Sequence, residues 1–230
     1  MLSKDYLEKF LQPYRLVVDD ATFLRYGQNY VYSCQRAGKK CIIRISKDRH
    51  RSKAEVEAEL SWVLFMVERG IKACAPIPAE NGDLCTTFEF AGETYLVTCF
   101  EHAPGHEIAR HDVAEHFYEQ LGRFLGRMHA EAASFNFRQI SLARPNWHDS
   151  RLLQKDFTEK QECLTEKFRA SVADLIQQLS NIPKTDNAHG LIHGDISFGN
   201  IFIHEGELWL IDFDNCEHGY FLQDLGIVLW

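Results

Sequence analysis

The chain has 230 residues, of which 45% are hydrophobic and 12% aromatic, so it can build a core and does not resemble a disordered protein. Acidic side chains outnumber basic ones by 33 to 25, and a net charge of −8 argues against general binding to nucleic acid. No apolar run approaches the ~20 residues that a membrane-spanning helix needs. Asp5 and Glu8 interrupt the stretch where a secretion signal would be apolar. We expect a cytoplasmic protein without a nucleic-acid or membrane partner.

The cysteine pattern agrees with that compartment. The seven cysteines are odd in number, scattered along the chain and without a C-x-x-C pair. This pattern favours free thiols over a disulfide framework.

The first hundred residues predict an antiparallel sheet that carries one helix. Val56, Leu60 and Val63 recur at helical spacing in a helix predicted over residues 52–69, which Gly70 ends. Segments rich in β-branched and aromatic residues predict the strands, with Ala37-Gly38 as one hairpin turn. We expect residues 1–100 to form an amino-terminal lobe with five strands. The predicted strands cover residues 14–18, 30–35, 40–46, 86–90 and 94–100.

The segment 101–105 is short, polar and contains a proline, and beyond it the composition shifts from strand to helix. We expect this segment to join two lobes, with residues 106–230 forming a mainly helical carboxy-terminal lobe. The chain stops shortly after an apolar helix begins near Asp224, so we expect this lobe to be incomplete. Helices are predicted around residues 117–128 and 157–179, and strands over 190–193, 200–204 and 207–212.

Four polar residues in the segment 190–213 predict a functional site. His193, Asp195 and Asn200 lie on one predicted loop, and Asp212 ends the hairpin that follows. Oxygen ligands from an Asn and an Asp suit Mg²⁺, which keeps few protein ligands and completes its shell with water or phosphate. Asp195 would then be free to orient a hydroxyl and accept its proton. Each residue alone is typical of a turn, but the four in this order indicate function.

The segment resembles the aminoglycoside phosphotransferase and choline kinase family, which are small-molecule kinases related to the protein kinases. Residues 193–200 fit the H-x-D-x-x-x-x-N catalytic loop of that family, and residues 211–214, Ile-Asp-Phe-Asp, fit its metal-binding motif. The resemblance implies a two-lobed, protein-kinase-like α+β fold, with residues 1–100 as the nucleotide-binding lobe, 101–105 as the hinge and 106–230 as the catalytic lobe. It also implies transfer of the γ-phosphoryl group of Mg-ATP to a hydroxyl of an aminoglycoside, an amino alcohol or a similar small molecule. The acidic balance favours a cationic acceptor.

The resemblance also implies roles for individual residues. Asp195 would be the catalytic base, and Asn200 and Asp212 would coordinate Mg²⁺ at the ATP phosphates. His193 would support the loop through hydrogen bonds, and Asp224, in a segment that resembles the start of the family's next helix, is counted as a structural residue. Asp214 is either a second metal contact or a capping group at the strand end, and we count it with the supporting residues.

Candidates for binding the nucleotide occur in the amino-terminal half. Gly27 and Asn29 belong to a hairpin that would cover the phosphates, although it has one glycine where protein kinases have three. Arg44 occupies a strand position where the family commonly has lysine, and it can bind phosphate. Three glutamates compete to be its partner, and Glu59 lies nearest the apolar stripe of its helix. These three are Glu55, Glu57 and Glu59.

The predicted hinge supplies the remaining candidates. By the resemblance, the main chain of residues 101–103 would bind adenine, with Cys99 and Phe100 lining the pocket. Glu101 and His102 are therefore candidate nucleotide-binding residues.

Other functions remain open at this point. A protein serine/threonine kinase of the same fold fits the same motifs. The single-glycine hairpin also fits a catalytically inactive, nucleotide-binding homologue. A metal-dependent phosphoester hydrolase would need more His and Asp ligands for two metals than this segment offers.

Overall fold

The computed structural model describes residues 2–109, 113, 115–135, 143–149 and 165–229. Over these residues the chain has an α+β fold with a large antiparallel sheet, which confirms the predicted class. The helices are α1 (Lys4–Leu11), α2 (Lys53–Glu68), α3 (Glu115–Ser134), α4 (Glu166–Ser180) and α5 (Phe221–Leu229). The strands are β1 (Thr22–Tyr26), β2 (Tyr30–Arg36), β3 (Lys39–Lys47), β4 (Pro76–Ile77), β5 (Cys85–Phe90), β6 (Glu93–Glu101), β7 (His106–Glu107), β8 (His189–Ile192), β9 (Ile201–His204), β10 (Glu207–Leu210) and β11 (Glu217–Tyr220).

The large sheet has the order β1-β2-β3-β6, and β4 and β5 both pair with the free edge of β6. Two-residue turns at Ala37-Gly38 and Ala91-Gly92 join its hairpins. All four turn residues have positive φ, the geometry that matches the twist of a tight hairpin. The predicted strands 30–35, 40–46, 86–90 and 94–100 are confirmed.

The predicted strand over residues 14–18 is wrong, and the sheet has six strands where five were expected. Residues Gln12–Tyr14 form a 3₁₀ turn that contains Pro13, and Arg15 takes a left-handed conformation with φ 55°. Tyr14 is buried and its hydroxyl donates a hydrogen bond to the carbonyl of Val97 at 2.7 Å. The apolar residues of this segment therefore cover a face of the sheet. The first strand is instead β1, and β4 is the additional short strand.

Helix α2 packs between the sheet and the carboxy-terminal half. Ser52 and Glu55 form a capping box that fixes its start, and the predicted helix 52–69 is confirmed. Val56 and Leu60 pack on the sheet together with Leu96. The next turns bury the side chains Trp62, Val63 and Met66 in the carboxy-terminal core. Because both ends are buried in different clusters, this helix fixes how the two halves meet.

The carboxy-terminal half consists of helices packed on small sheets. Strands β9 and β10 form a hairpin with Glu205-Gly206 at its turn, and β7 pairs with β9. Helix α3 packs its apolar stripe against β8 and β10, and α4 overlaps the predicted second helix. The part of that prediction over residues 157–164 lies outside the described residues.

The described part of the chain contains no helix long and apolar enough to cross a bilayer. Its cysteines are free thiols: Cys34, Cys41, Cys74, Cys85, Cys99 and Cys216. Cys163 lies outside the described residues.

Candidate active site

A cleft of about 500 Å³ lies between the large sheet and the loops that follow β8 and β10. Strands β1 to β3 and the end of β6 form one wall, and the β9–β10 hairpin contributes to the other. Ten of the residues singled out from the sequence line this cleft: Gly27, Asn29, Arg44, Glu59, Phe100, Glu101, His102, Asp195, Asp212 and Asp214. Residues far apart in the chain thus surround one volume of the size that holds a small ligand.

His193 is buried below the cleft and connects the two predicted motifs. Its Nε2 lies 3.0 Å from the carbonyl of Ile211, and its Nδ1 lies 3.2 Å from the backbone N–H of Asp195. A carbonyl only accepts and an N–H only donates, so the imidazole is neutral with its proton on Nε2. His193 therefore fixes the loop next to the strand that precedes Asp212.

Asp224 supports the same loop from below and is fully buried. Its carboxylate accepts hydrogen bonds from the backbone N–H groups of His193 and Gly194 at 3.0 and 2.9 Å. It also accepts one from Nε2 of His129 at 2.9 Å. Gly194 has φ 77°, and a Cβ there would collide with the carbonyl of Asn215. The first turn of α5, which carries Asp224, and the turn at Gly194 thus determine the position of Asp195.

Asn200 orients Asp195 through the hydrogen bonds of its side-chain amide nitrogen. Its Nδ2 donates to the backbone carbonyl of Asp195 at 2.9 Å and to Asp195 Oδ2 at 3.2 Å. The carbonyl of Asn200 accepts the N–H of Ile211, which places the residue beside Asp212. Asn200 itself is buried under the cleft.

Asp212 takes a left-handed conformation, with φ 65°, and presents its carboxylate to the cleft. Within the described residues, no cluster of three His, Cys, Asp or Glu side chains could hold a metal unaided. A cation at Asp212 therefore needs further oxygens from amides, water or phosphate. This ligand set fits a hard cation that binds phosphate.

Arg44 and Glu59 form a buried, bidentate ion pair. Nη1 and Nη2 of Arg44 each lie 2.8 Å from a different carboxylate oxygen of Glu59, and the two side chains are 6% and 1% exposed. Burial alone would lower the pKa of Arg44, but the charges of Glu59 and Asp214 outweigh it and raise that pKa. Of the competing glutamates, Glu55 caps α2 and Glu57 pairs with Lys53 at the surface.

Asp214 lies at the centre of a cluster of basic side chains. Its Oδ1 is 3.8 Å from Arg44 Nη1 and from Arg51 Nε, and its Oδ2 accepts a hydrogen bond from His50 Nε2 at 2.8 Å. Burial opposes its ionisation, yet the His50 hydrogen bond and the two guanidinium charges hold the pKa of Asp214 well below its usual range. Such surroundings favour ion pairing over coordination of a metal.

Two buried arginines of this cluster were missed from the sequence. Arg51 lies in the basic stretch before α2, where a solvated side chain would be expected, yet it is buried and donates to the carbonyl of Asp214 at 3.2 Å. Arg144 donates to the carbonyls of Asp214, Cys216 and Glu55 at 2.6, 2.7 and 3.2 Å. The Ser52–Glu55 capping box next to Arg51 could have indicated that Arg51 is buried, because the box fixes the direction from which the chain enters α2. No motif surrounds Arg144.

The predicted hinge lines the cleft with Phe100, Glu101 and His102. Cys99 does not line it, because strand alternation turns its side chain to the opposite face, where it is fully buried. Cys74, which the sequence did not single out, lines the cleft instead. The assignment of Cys99 to the pocket is therefore wrong.

Several buried polar atoms at the cleft are unsatisfied. Arg44 Nε, Asn29 Oδ1 and Asp214 Oδ1 make no hydrogen bond to any described residue. Buried polar atoms without partners are costly, so their presence at one cleft indicates a polar ligand.

Comparison with known proteins assigns the family. Residues 25–230 match the sequence model of the phosphotransferase enzyme family APH, and the chain belongs to that family. A solved structure of an amicoumacin kinase in complex with AMP-PNP, Ca²⁺ and Ami superposes with a TM-score of 0.89 at 26% identity. The alignment covers 100% of this chain and 69% of that one. The predicted protein-kinase-like fold is thereby confirmed.

Two curated relatives carry different names. The amicoumacin kinase of Bacillus subtilis (strain 168) is 27% identical over 214 residues, which are 92% of this chain and 63% of that protein. The serine/threonine protein kinase RdoA of Salmonella typhimurium is 26% identical over 219 residues, which are 93% of this chain and 64% of that protein. The chain thus spans less than two thirds of either relative.

We predict strong energetic coupling between Arg44 and Glu59. Each single alanine variant should lose about 3–5 kcal/mol of unfolding free energy, because it leaves a buried charge unpaired. The double variant should lose clearly less than the sum of the two, as measured by urea denaturation. Lys53 and Glu57, an exposed pair on the same helix, form the control cycle and should couple by about 0.5 kcal/mol or less. Equal coupling in both cycles would show that burial does not strengthen the interaction between Arg44 and Glu59.

Proposed function

We propose that this protein transfers the γ-phosphoryl group of ATP to a hydroxyl group of a small molecule. The observation that carries the proposal is the cleft itself. It places Asp195 and Asp212 from one half opposite the Arg44–Glu59 pair from the other. A phosphoryl-transfer site needs these three parts: a group that orients the nucleophile, a metal ligand and a fixed cation at the phosphates.

In this proposal the nucleotide lies along the wall made by the large sheet. Adenine would contact the segment of Phe100, Glu101 and His102, where apolar and main-chain groups are available. The hairpin with Gly27 and Asn29 would cover the phosphates. The unsatisfied Nε of Arg44 offers a further donor beside its pair with Glu59.

Asp212 and Asn200 would hold the divalent cation, which we propose is Mg²⁺. When bound, the cation would neutralise the phosphate charge that builds up during transfer. Asp212 contributes charge from a partly buried position just after β10, and Asn200 contributes an amide oxygen whose position is fixed by the bonds of its Nδ2 to Asp195. Asn200, a proposed metal ligand, is thus hydrogen-bonded to Asp195, the proposed base.

Asp195 would accept the proton of the acceptor hydroxyl as the oxygen attacks the γ-phosphorus. Asn200 already holds one oxygen of that carboxylate, so the other is free to face the hydroxyl. His193 and Asp224 do not line the cleft and would serve to keep the loop in place. We propose residues 1–100 and 106–230 as the two lobes and residues 101–105 as the hinge.

For the acceptor we propose an amino-bearing small molecule, which the negative balance of the chain would attract. The similarity to an amicoumacin kinase supports this class. A protein hydroxyl is the second candidate, because RdoA, a relative at nearly the same identity, carries the name of a serine/threonine protein kinase. We propose the cytoplasm as the compartment, since it supplies ATP.

The Asp195→Asn variant should retain folding and metal-dependent ATP binding while phosphoryl transfer falls roughly 10²- to 10⁴-fold, the usual contribution of a general base. Calorimetric titration and single-turnover transfer of labelled phosphate measure the two quantities. Asp174→Asn is the matched control, because an amide side chain, that of Gln178, also holds this exposed carboxylate at 2.7 Å. If ATP affinity falls as far as the rate, Asp195 has a different role.

The Asp212→Ala variant should lose metal-dependent ATP binding, because the remaining amide oxygen cannot replace a charged ligand. Titration of ATP with and without Mg²⁺ measures the loss. Asp19→Ala is the control, because Asp19 also forms an ion pair of 2.6 Å. Its partner is Lys4 at the surface, whereas the partner of Asp212 is Arg25. An Asp212→Ala protein that binds Mg-ATP as tightly as the parent would place the metal elsewhere.

An ATP-consumption screen decides between the acceptor classes. We expect aminoglycosides, amicoumacin or amino alcohols to stimulate consumption, and Asp195→Asn to abolish the stimulation. Stimulation by a protein substrate alone would favour the second candidate. No consumption with any acceptor, despite ATP binding, would favour a catalytically inactive homologue.

A further inference from the structure

A β-bulge directs Arg25 into the cleft. Phe23 pairs with Tyr32, but Arg25 pairs with Val31, so Leu24 is an extra residue in β1. In a regular ladder Leu24 would pair with Val31, and Arg25 would lie opposite Tyr30. Arg25 would then share the face of Tyr32, which is buried in the core of the sheet. A shift of one residue exchanges the two faces of a strand, and bulges often re-aim side chains next to active sites.

The re-aimed side chain reaches the opposite wall of the cleft. Arg25 Nη2 lies 2.6 Å from Asp212 Oδ2, although the two residues are 187 positions apart in the sequence. The Arg25 side chain is 56% exposed, so this pair contributes little to stability. The position of the Arg25 guanidinium matters more. It contacts the carboxylate that would hold the metal and lies beside the hairpin proposed to cover the phosphates.

We propose that Arg25 is a phosphate ligand that exchanges partners when the nucleotide binds. Without nucleotide, its guanidinium neutralises Asp212. A divalent cation on that carboxylate takes over the neutralisation and repels the guanidinium, which then binds phosphate oxygens of the same metal-bound nucleotide. Arginine suits this exchange because its planar fork binds carboxylate and phosphate alike. The inference rests on the proposed function and adds a residue that no motif of the sequence marks.

The proposed exchange predicts that removing Arg25 changes the affinities for nucleotide and for free metal in opposite directions. Removing Arg25 should weaken binding of AMP-PNP with Mg²⁺ roughly 10- to 100-fold, the range for a lost charge-assisted hydrogen bond. The same change should tighten binding of Mn²⁺ alone, by up to about fivefold, because the cation no longer competes with an exposed ion pair. A residue with a merely structural role would not weaken one and strengthen the other.

The test compares the parent chain with Arg25→Ala, Arg25→Lys and Arg123→Ala. Calorimetry gives the affinity for AMP-PNP with Mg²⁺ and for adenosine, and electron paramagnetic resonance gives the affinity for Mn²⁺. Arg25→Lys should recover part of the AMP-PNP affinity, because its ammonium keeps the charge. Arg123 pairs with Glu119 at 2.7 Å on the surface of α3, so its removal should change nothing. Adenosine, which has no phosphate, should bind all four proteins alike.

Parent-like affinity of Arg25→Ala for AMP-PNP would overturn the proposal and leave Arg25 as a surface ion pair. An equal loss for adenosine would overturn it too, since Arg25 would then support the cleft in general. If the parent chain itself binds no AMP-PNP, the proposed function fails first, and the role of Arg25 fails with it.

Discussion

The buried ion pair between Arg44 and Glu59, extended by Asp214, joins three separate pieces of the chain. Arg44 belongs to β3, Glu59 to α2 and Asp214 to the turn after β10. Burying charges is expensive, and the cost is offset only when geometry and hydrogen bonds are nearly complete. Here the bidentate contact satisfies both carboxylate oxygens of Glu59, and the guanidinium of Arg51 places a further positive charge 3.8 Å from Asp214. The sheet, the helix and the turn that carries Asp214 must therefore come together in one arrangement.

Apolar packing supports the same arrangement from below. Phe213, between the two aspartates of the metal motif, contacts His193 with ring centroids 4.4 Å apart and Trp62 of α2 edge-on at 5.4 Å. All three side chains are buried. A shift of α2 would thus disturb the loop of His193 and the turn of Phe213 together, so the position of the helix and the geometry of the proposed site are coupled.

The local patterns of the sequence were sufficient for the hairpins, for α2 and for the residues of the two motifs, because these depend on neighbouring residues. Ala37-Gly38 fixes a turn by its own backbone preference, and the helix phase alone favoured Glu59. Contacts between distant segments were not predictable in this way. Tyr14 leaves the strand conformation that its type prefers because a carbonyl of β6 accepts its hydroxyl. Arg25 reaches Asp212 only because of a bulge, and no periodicity in the sequence indicates one.

The central claim is that both halves of the chain bind one metal-bound nucleotide in the shared cleft. A crystal structure of the chain with AMP-PNP and Mn²⁺, with anomalous data that locate the manganese, tests it most directly. The account predicts manganese bound to Asp212 and Asn200, with phosphates between that site and Arg44, and the adenine beside Phe100. Manganese at any other carboxylate, or a nucleotide outside the cleft, would contradict it.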